Sequence, residues 1–310
     1  MHAPARANAT FTPADTALLL GLGGMWGLSF LFIELALRGL GPIWIVAGRT
    51  LVGAIVLLVA LLARRHRLPR SRRLWGHLAV LGIISNAAPW AAVAMAQREI
   101  PSGLAALLMA LVPSSTFVVA AALRMERVTA GRVAGLLVAL GGVAIIVGPD
   151  LGDRGRVLAI ATVVGATVLY AGGAVYAKRY VSGVAAPLVV ATGQVGSAFV
   201  ASVVMALAFD GLPTRAALRV DVIGAVVALG VLGTGLAFLA FYMLIERVGA
   251  TNTTLVTYLI PLVAVAAGAG FLGERFGLTE LLGGAAIGAG IWLAQRRPAD
   301  PVEQLEELKT

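Results

Sequence analysis

Few side chains in this sequence could do chemistry, and most of those stand inside long apolar runs. Asn86 and Trp90 are four residues apart, so a helix puts them on one face. An amide beside an aromatic plate suits an amphipathic small solute, although a buried amide can equally bond a neighbouring helix. Trp26, Ser29, Met109, Tyr170 and Tyr258 also sit well inside apolar runs and are candidate walls of a cavity, whereas Tyr176 lies nearer a helix end and reads as an anchor. Two charges lie in neighbouring runs, Glu34 and Arg49. Their plain reading is an ion pair that spares lipid a lone charge; their sharper reading is an outer gate or a coupling carboxylate. Pro89, Pro113 and Pro261 each remove a backbone donor, free a carbonyl and kink a helix, so they are candidate hinges.

This set can bind and pass a small solute, and it lacks the groups an enzyme needs. His2, His66 and His77 fall in a tail, a basic loop and a helix end, with no acidic partner spaced beside them. Acid–base chemistry wants such groups to converge, and no metal cluster, nucleophile elbow or phosphate loop is present. Without cysteine, disulfides and thiolate metal sites are excluded. The expectation is a non-enzyme with no cofactor and no metal; a membrane-embedded transferase is the alternative of a different class. A channel or a lipid scramblase is disfavoured by the lack of a filter-like or charged-ring motif.

The elements that must hold these residues follow from composition. The chain has 310 residues, 59% apolar and 13% charged, with mean hydropathy +0.93. A soluble domain carries about 25% charged residues, and this much apolar sequence must face lipid. Ten runs are long enough to span: 16–37, 43–63, 74–96, 102–123, 131–148, 156–178, 186–208, 221–244, 250–272 and 278–295. Backbone groups in lipid must bond within their own segment, so all ten are expected to be helices.

The net charge is +9, but arginines cluster in the gaps between runs and not along one face, so the partners expected are the lipid bilayer and a small molecule and not nucleic acid. Alternate gaps carry sixteen and seven Lys or Arg, which places both termini in the cytoplasm. The first fifteen residues hold one arginine and no cleavage site follows the first run, so that run reads as a retained anchor.

The chain repeats itself. Ala105–Ile146 lies without a gap on Thr253–Ala294, 148 positions on, matching Leu107 to Leu255, Pro113 to Pro261, Glu126-Arg127 to Glu274-Arg275, Gly135 to Gly283 and Gly142 to Gly290. The same offset pairs Asn86 with Thr234 and Trp90 with Phe238, which adds Thr234 and Phe238 to the candidate walls; an offset of 144 lays Trp26 on Tyr170. Five helices per half is an odd number, so the halves enter the membrane in opposite senses. The expected fold is all-α and integral to the membrane: ten transmembrane helices as two inverted five-helix repeats, with the substrate site between them. The divisions are an N-terminal tail at 1–13, a first repeat at 14–148, an outer linker at 149–155, a second repeat at 156–295 and a C-terminal tail at 296–310. Gly131/Gly135, Gly284/Gly288 and Gly23/Gly27 have the spacing that permits close helix approach, within the chain or in a homodimer through these glycine-rich helices. With 38 glycines the spacing alone does not decide between them.

Trp26-Gly27-Leu28-Ser29-Phe30, Arg49, Pro113, Glu126-Arg127 and Gly273-Glu274-Arg275 together resemble the EamA repeat of the drug/metabolite transporter superfamily. The resemblance runs from about Ala14 to Ala294. It implies a ten-helix carrier with inward termini in a bacterial inner membrane. The chain looks most like amino-acid exporters of the YddG type, which implies export of aromatic or other neutral amino acids; no single motif carries that finer likeness. One departure is Met125, where the family commonly has glycine before the first glutamate.

Overall fold

A computed structural model describes residues 11–295 apart from Arg127. The tails at 1–10 and 296–310 lie outside the described residues. Among the described residues there is no strand, and the chain forms ten apolar helical segments. They are α1 (Pro13–Leu37), α2 (Pro42–Ala63), α3 (Arg72–Ala96), α4 (Ser102–Ala122), α5 (Ala130–Val147), α6 (Arg154–Tyr180), α7 (Pro187–Phe209), α8 (Val220–Gly249), α9 (Val256–Leu272) and α10 (Leu278–Gln295). Eight of them, α1 to α8, are long and apolar enough to cross a membrane by length and composition. The shorter α9 and the 18-residue α10 lie where the sequence places its last two apolar runs.

The ends of the helices follow from local chemistry. Proline opens α1, α2 and α7, where its missing N–H costs nothing. Thr12 and Asp15 cap α1 reciprocally. The joint between the halves is a 3-10 turn at Gly148–Asp150, after which Asp153 Oδ1 accepts from the amides of Gly155 and Arg156 and starts α6. Gly249, at φ +84°, breaks the chain between α8 and α9. Two acidic residues of the second half cap helices of the first. Asp210 accepts from Ile43 N at 2.8 Å and Trp44 N at 3.2 Å, and Glu274 accepts from Ser102 N at 2.7 Å and Gly103 N at 3.1 Å.

Packing obeys the internal repeat. A Cβ on Gly135 would strike the carbonyl of Gly290, and one on Gly290 the carbonyl of Gly135; Gly142 and Gly283 block each other in the same way. Gly283 and Gly290 are the counterparts of Gly135 and Gly142, so α5 and α10 meet through the same patch, as a two-fold axis requires. The numbers rise along one helix as they fall along the other. The fifth helices of the two halves therefore run antiparallel.

The rule extends to the other helices. Gly48 of α2 faces Val226 of α8, and Gly193 of α7 faces Leu78 of α3. Gly27 of α1 faces Val263 of α9, and on the corresponding contact of α6 with α4 the hydroxyls of Thr167 and Ser115 are 2.7 Å apart. Among the glycines with close-approach spacing, Gly23, Gly27, Gly135 and Gly284 pack within the chain, while Gly131 and Gly288 face open space. The outward faces carry exposed Leu137, Leu140, Val200, Val204, Leu262 and Leu281, as lipid contact demands.

Candidate functional site

Midway along α3 and α8 the helical hydrogen-bond ladder loosens into π-turns at Ile83–Ala87 and Val231–Leu236, equivalent positions of the two halves. Pro89 removes the amide that the Ser85 carbonyl would use, which favours the first; Gly233 and Gly235 ease the second. Such turns push side chains out of helical register and are common at functional sites. Here they carry Ser85, Asn86, Gly233 and Thr234.

Between the halves lies a cavity of about 340 Å³. Its wall is built largely from equivalent pairs: Trp26 and Tyr170, Trp90 and Phe238, Val93 and Phe241, Met109 and Thr257, Val112 and Ile260. Ser29, Arg49, Asn86 and Pro261 complete the parts that concern chemistry. Trp26 leans on Phe241 with ring centroids 5.4 Å apart. The wall is therefore aromatic and apolar, with a few polar groups.

Arg49 dominates those groups. It is 4% exposed, its guanidinium carbon lies 3.8 Å from the centroid of the Trp90 ring, Nε donates to Thr234 Oγ1 at 3.3 Å and Nη2 to the Gly233 carbonyl at 3.3 Å. Trp90 Nε1 in turn donates to the Tyr170 hydroxyl. In the other half Gln194 Nε2 donates to Asn86 Oδ1. Gly48-Arg49 and Gly193-Gln194 meet corresponding residues of α8 and α3, so Gln194 is the counterpart of Arg49, and the two bonds are the same contact made twice.

The sequence-derived candidates fall as follows. Trp26, Ser29, Asn86, Trp90, Met109, Tyr170 and Phe238 all face the cavity, with Arg49 and Pro261. Thr234 does not: it is fully buried behind Arg49 and acts on the cavity only by holding that side chain. Tyr258 turns away and its hydroxyl donates to Gln295 Oε1 at 3.0 Å; Thr257 takes the wall position, four residues before Pro261. Pro89 and Pro113 lie outside the lining; each denies its usual helical donor to the carbonyl four residues before it, that of Ser85 or of Met109.

The expected pairing of Glu34 with Arg49 is not formed. Glu34 lies beside Gln97, Arg38 and Glu274, with Oε2 buried and unbonded among the described residues, while Arg49 turns to Trp90 and α8. Tyr176, expected as an anchor, has its hydroxyl 2.7 Å from His77 Nδ1. Glu126, of the repeated Glu-Arg pair, is bonded to Arg132 at 2.6 Å, and Arg127 beside it is outside the described residues. Gln194 is not among the residues that the sequence points to. Its signal is an offset of 145 in place of 148, carried mainly by Gly48 and Gly193.

The model of the EamA-like transporter family matches residues 16–148 and again 157–295. The chain belongs to the EamA-like transporter family. Two EamA repeats thus coincide with the two halves seen in the packing, and the chain is a multi-pass membrane protein. Curated relatives carry transporter names. The uncharacterized transporter YvbV of Bacillus subtilis is 27% identical over 274 residues, 86% of this chain and 87% of its own. A probable terminal-alkyne amino-acid exporter of Streptantibioticus cattleyicolor is 28% identical over 274 residues, 88% and 90% of the two chains. The uncharacterized inner membrane transporter YedA of Escherichia coli K12 is 28% identical over 270 residues, 85% of each. One solved protein structure superimposes with TM-score 0.64 over 97% of this chain and 100% of its own at 20% identity, a likeness of fold alone.

Proposed function

We propose that this EamA-family protein is an alternating-access carrier that exports small metabolites, amino acids above all, from the cytoplasm across a bacterial inner membrane. One observation carries the reading. The cavity lies on the seam between two antiparallel-packed halves and is walled by equivalent residues of both, such as Trp90 with Phe238 and Met109 with Thr257. A site on a pseudo-two-fold axis can be offered to either side by the same rocking motion performed in opposite senses. The antiparallel crossing of α5 and α10 supports two inverted repeats, and on this reading α9 and α10 join the eight candidate spans to make ten. Both termini are then cytoplasmic, as the arginine asymmetry favours.

Export of amino acids is supported by the aromatic wall and by the name of the Streptantibioticus relative, a probable terminal-alkyne amino-acid exporter. YddG-type selectivity for aromatic or other neutral amino acids belongs to the same proposal. A transferase is less well supported, since His77, which lies on the cavity-lining helix α3, is bonded to a tyrosine and not to an acid. The test is counterflow in liposomes holding the purified protein, with labelled amino acids, sugars and nucleosides, with and without a pH gradient. The expected result is saturable uptake of amino acids, driven by unlabelled amino acid inside. Uptake of sugars or nucleosides alone would remove the amino-acid assignment, and no saturable uptake of any solute would remove the carrier.

A further inference from the structure

We propose that Arg49 is the anchor for a carboxylate on the transported solute, so that the cavity selects small aromatic or apolar carboxylic acids, amino acids among them. This rests on the carrier reading above and gives it a substrate class. Arg49 faces the cavity and is 96% buried, by its 4% exposure. It is held from behind and from one face only: Nε by Thr234, Nη2 by the Gly233 carbonyl and the guanidinium plane by Trp90. A guanidinium has five N–H donors, and the others find no protein acceptor among the described residues. No carboxylate among the described residues pairs with it. The side chain is thus aimed and rigid while its charge stays unmatched.

An unmatched cation in a low-dielectric site draws an anion far more strongly than it would in water. The planar fork of the free N–H groups fits a carboxylate in two parallel bonds. A phosphate would bring more charge than one arginine can meet, and the lining offers no lysine and no second arginine. The rest of the wall, Trp26, Trp90, Phe238, Phe241 and Ile260, takes the apolar body of the solute. The cavity, at about 340 Å³, is at the small end of ligand pockets.

The charge sits on one half alone, because the counterpart of Arg49 is the neutral Gln194, already bonded to Asn86. The solute is therefore oriented with its acid toward α2 and α8.

The test is a titration of purified protein in detergent, read by tryptophan fluorescence, since Trp90 stacks on Arg49 and Trp26 lies across the cavity. The probes are two matched pairs: 3-phenylpropionate with 3-phenylpropionamide, and L-phenylalanine with L-phenylalaninamide. The acids are expected to bind saturably and the amides at least about tenfold more weakly. Arg49→Gln is expected to abolish the preference and Arg49→Lys to keep part of it. Equal binding of acid and amide to the unaltered protein, an undiminished preference in Arg49→Gln, or no saturable response to any probe would overturn the proposal. Should Arg49→Gln fail to fold, the acid–amide comparison on the unaltered protein decides alone. Acid binding without counterflow would keep the anchor and sink the carrier; counterflow confined to solutes without a carboxylate would do the reverse.

Discussion

Arg49 donates from Nε to Thr234 Oγ1, reaching from α2 in the first half to α8 in the second. Gln194 and Asn86 make the corresponding contact in the other direction, from α7 to α3. The internal two-fold is therefore expressed in polar chemistry at the centre of the molecule as well as in glycine packing at its edge. At this contact the two sides differ in charge, with an arginine on one and a glutamine on the other.

The Gln194–Asn86 bond is buried, with the two residues 8% and 1% exposed. Gln194→Leu leaves the Asn86 carbonyl oxygen without this donor and should cost about 1–3 kcal/mol, the desolvation penalty of a buried polar atom. Adding Asn86→Leu should recover part of that loss. Thermal unfolding of the two single variants and the double checks it, and strict additivity would mean the pair is not coupled.

Close helix approach at the edge gives a second prediction. Gly283→Leu must displace the carbonyl of Gly142 and the side chain of Ile146, an overpacking that should cost about 1–3 kcal/mol or more. Gly288→Ala meets nothing within 4 Å and should be neutral or slightly stabilising. Comparing their melting temperatures in one detergent checks it; equal shifts would contradict the antiparallel contact of α5 with α10.

Much of this was legible in the sequence, and the failures have physical causes. Apolar runs mark the helices to within a few residues because lipid leaves little choice, and the start of α9 is the main exception, where Gly249 breaks the chain and the helix resumes at Val256. The 148-residue offset is readable from α3 onward. It slips to 145 for α2 and α7 and to 144 for α1 and α6 because the connecting loops differ in length, which hid Gln194. Glu34 and Arg49 share a depth on neighbouring runs, but sequence does not fix the angle at which two helices face each other. The structure turns Arg49 toward α8, and the expected ion pair is lost. Tyr258 and Thr257 differ by one residue, and so by about 100° around the helix, which is enough to exchange wall for back.

Trp90 illustrates the same limit. Its shared face with Asn86 suggests that Trp90→Ala would cut flux and spare folding. The structure makes it 8% exposed, stacked on Arg49 and bonded to Tyr170, so truncation should also cost about 3–5 kcal/mol. Trp90→Phe keeps a ring under Arg49 and loses the bond to Tyr170. It should fold and transport with reduced affinity, whereas Trp90→Ala should lose most flux and much stability. Melting temperature and initial rate measured on both variants separate the two roles.

Glu274 ties the loop after α9 to the first amides of α4. Glu274→Ala removes a charged cap across the halves and should lower stability by about 0.5–2 kcal/mol, while Glu274→Gln should lose less. Thermal unfolding checks the order; an unchanged melting temperature in Glu274→Ala would show that the contact carries no weight.

The sharpest test of solute binding on the seam uses the fact that the chain has no cysteine. Met109→Cys and Thr257→Cys place one thiol at each of two equivalent wall positions, one in each half. Labelling each with a maleimide, with and without a saturating transported amino acid, reads whether the solute covers both. Protection at both positions, lost together with Arg49→Gln, is the predicted result. Labelling that the solute leaves unchanged at both would contradict a shared site between the halves.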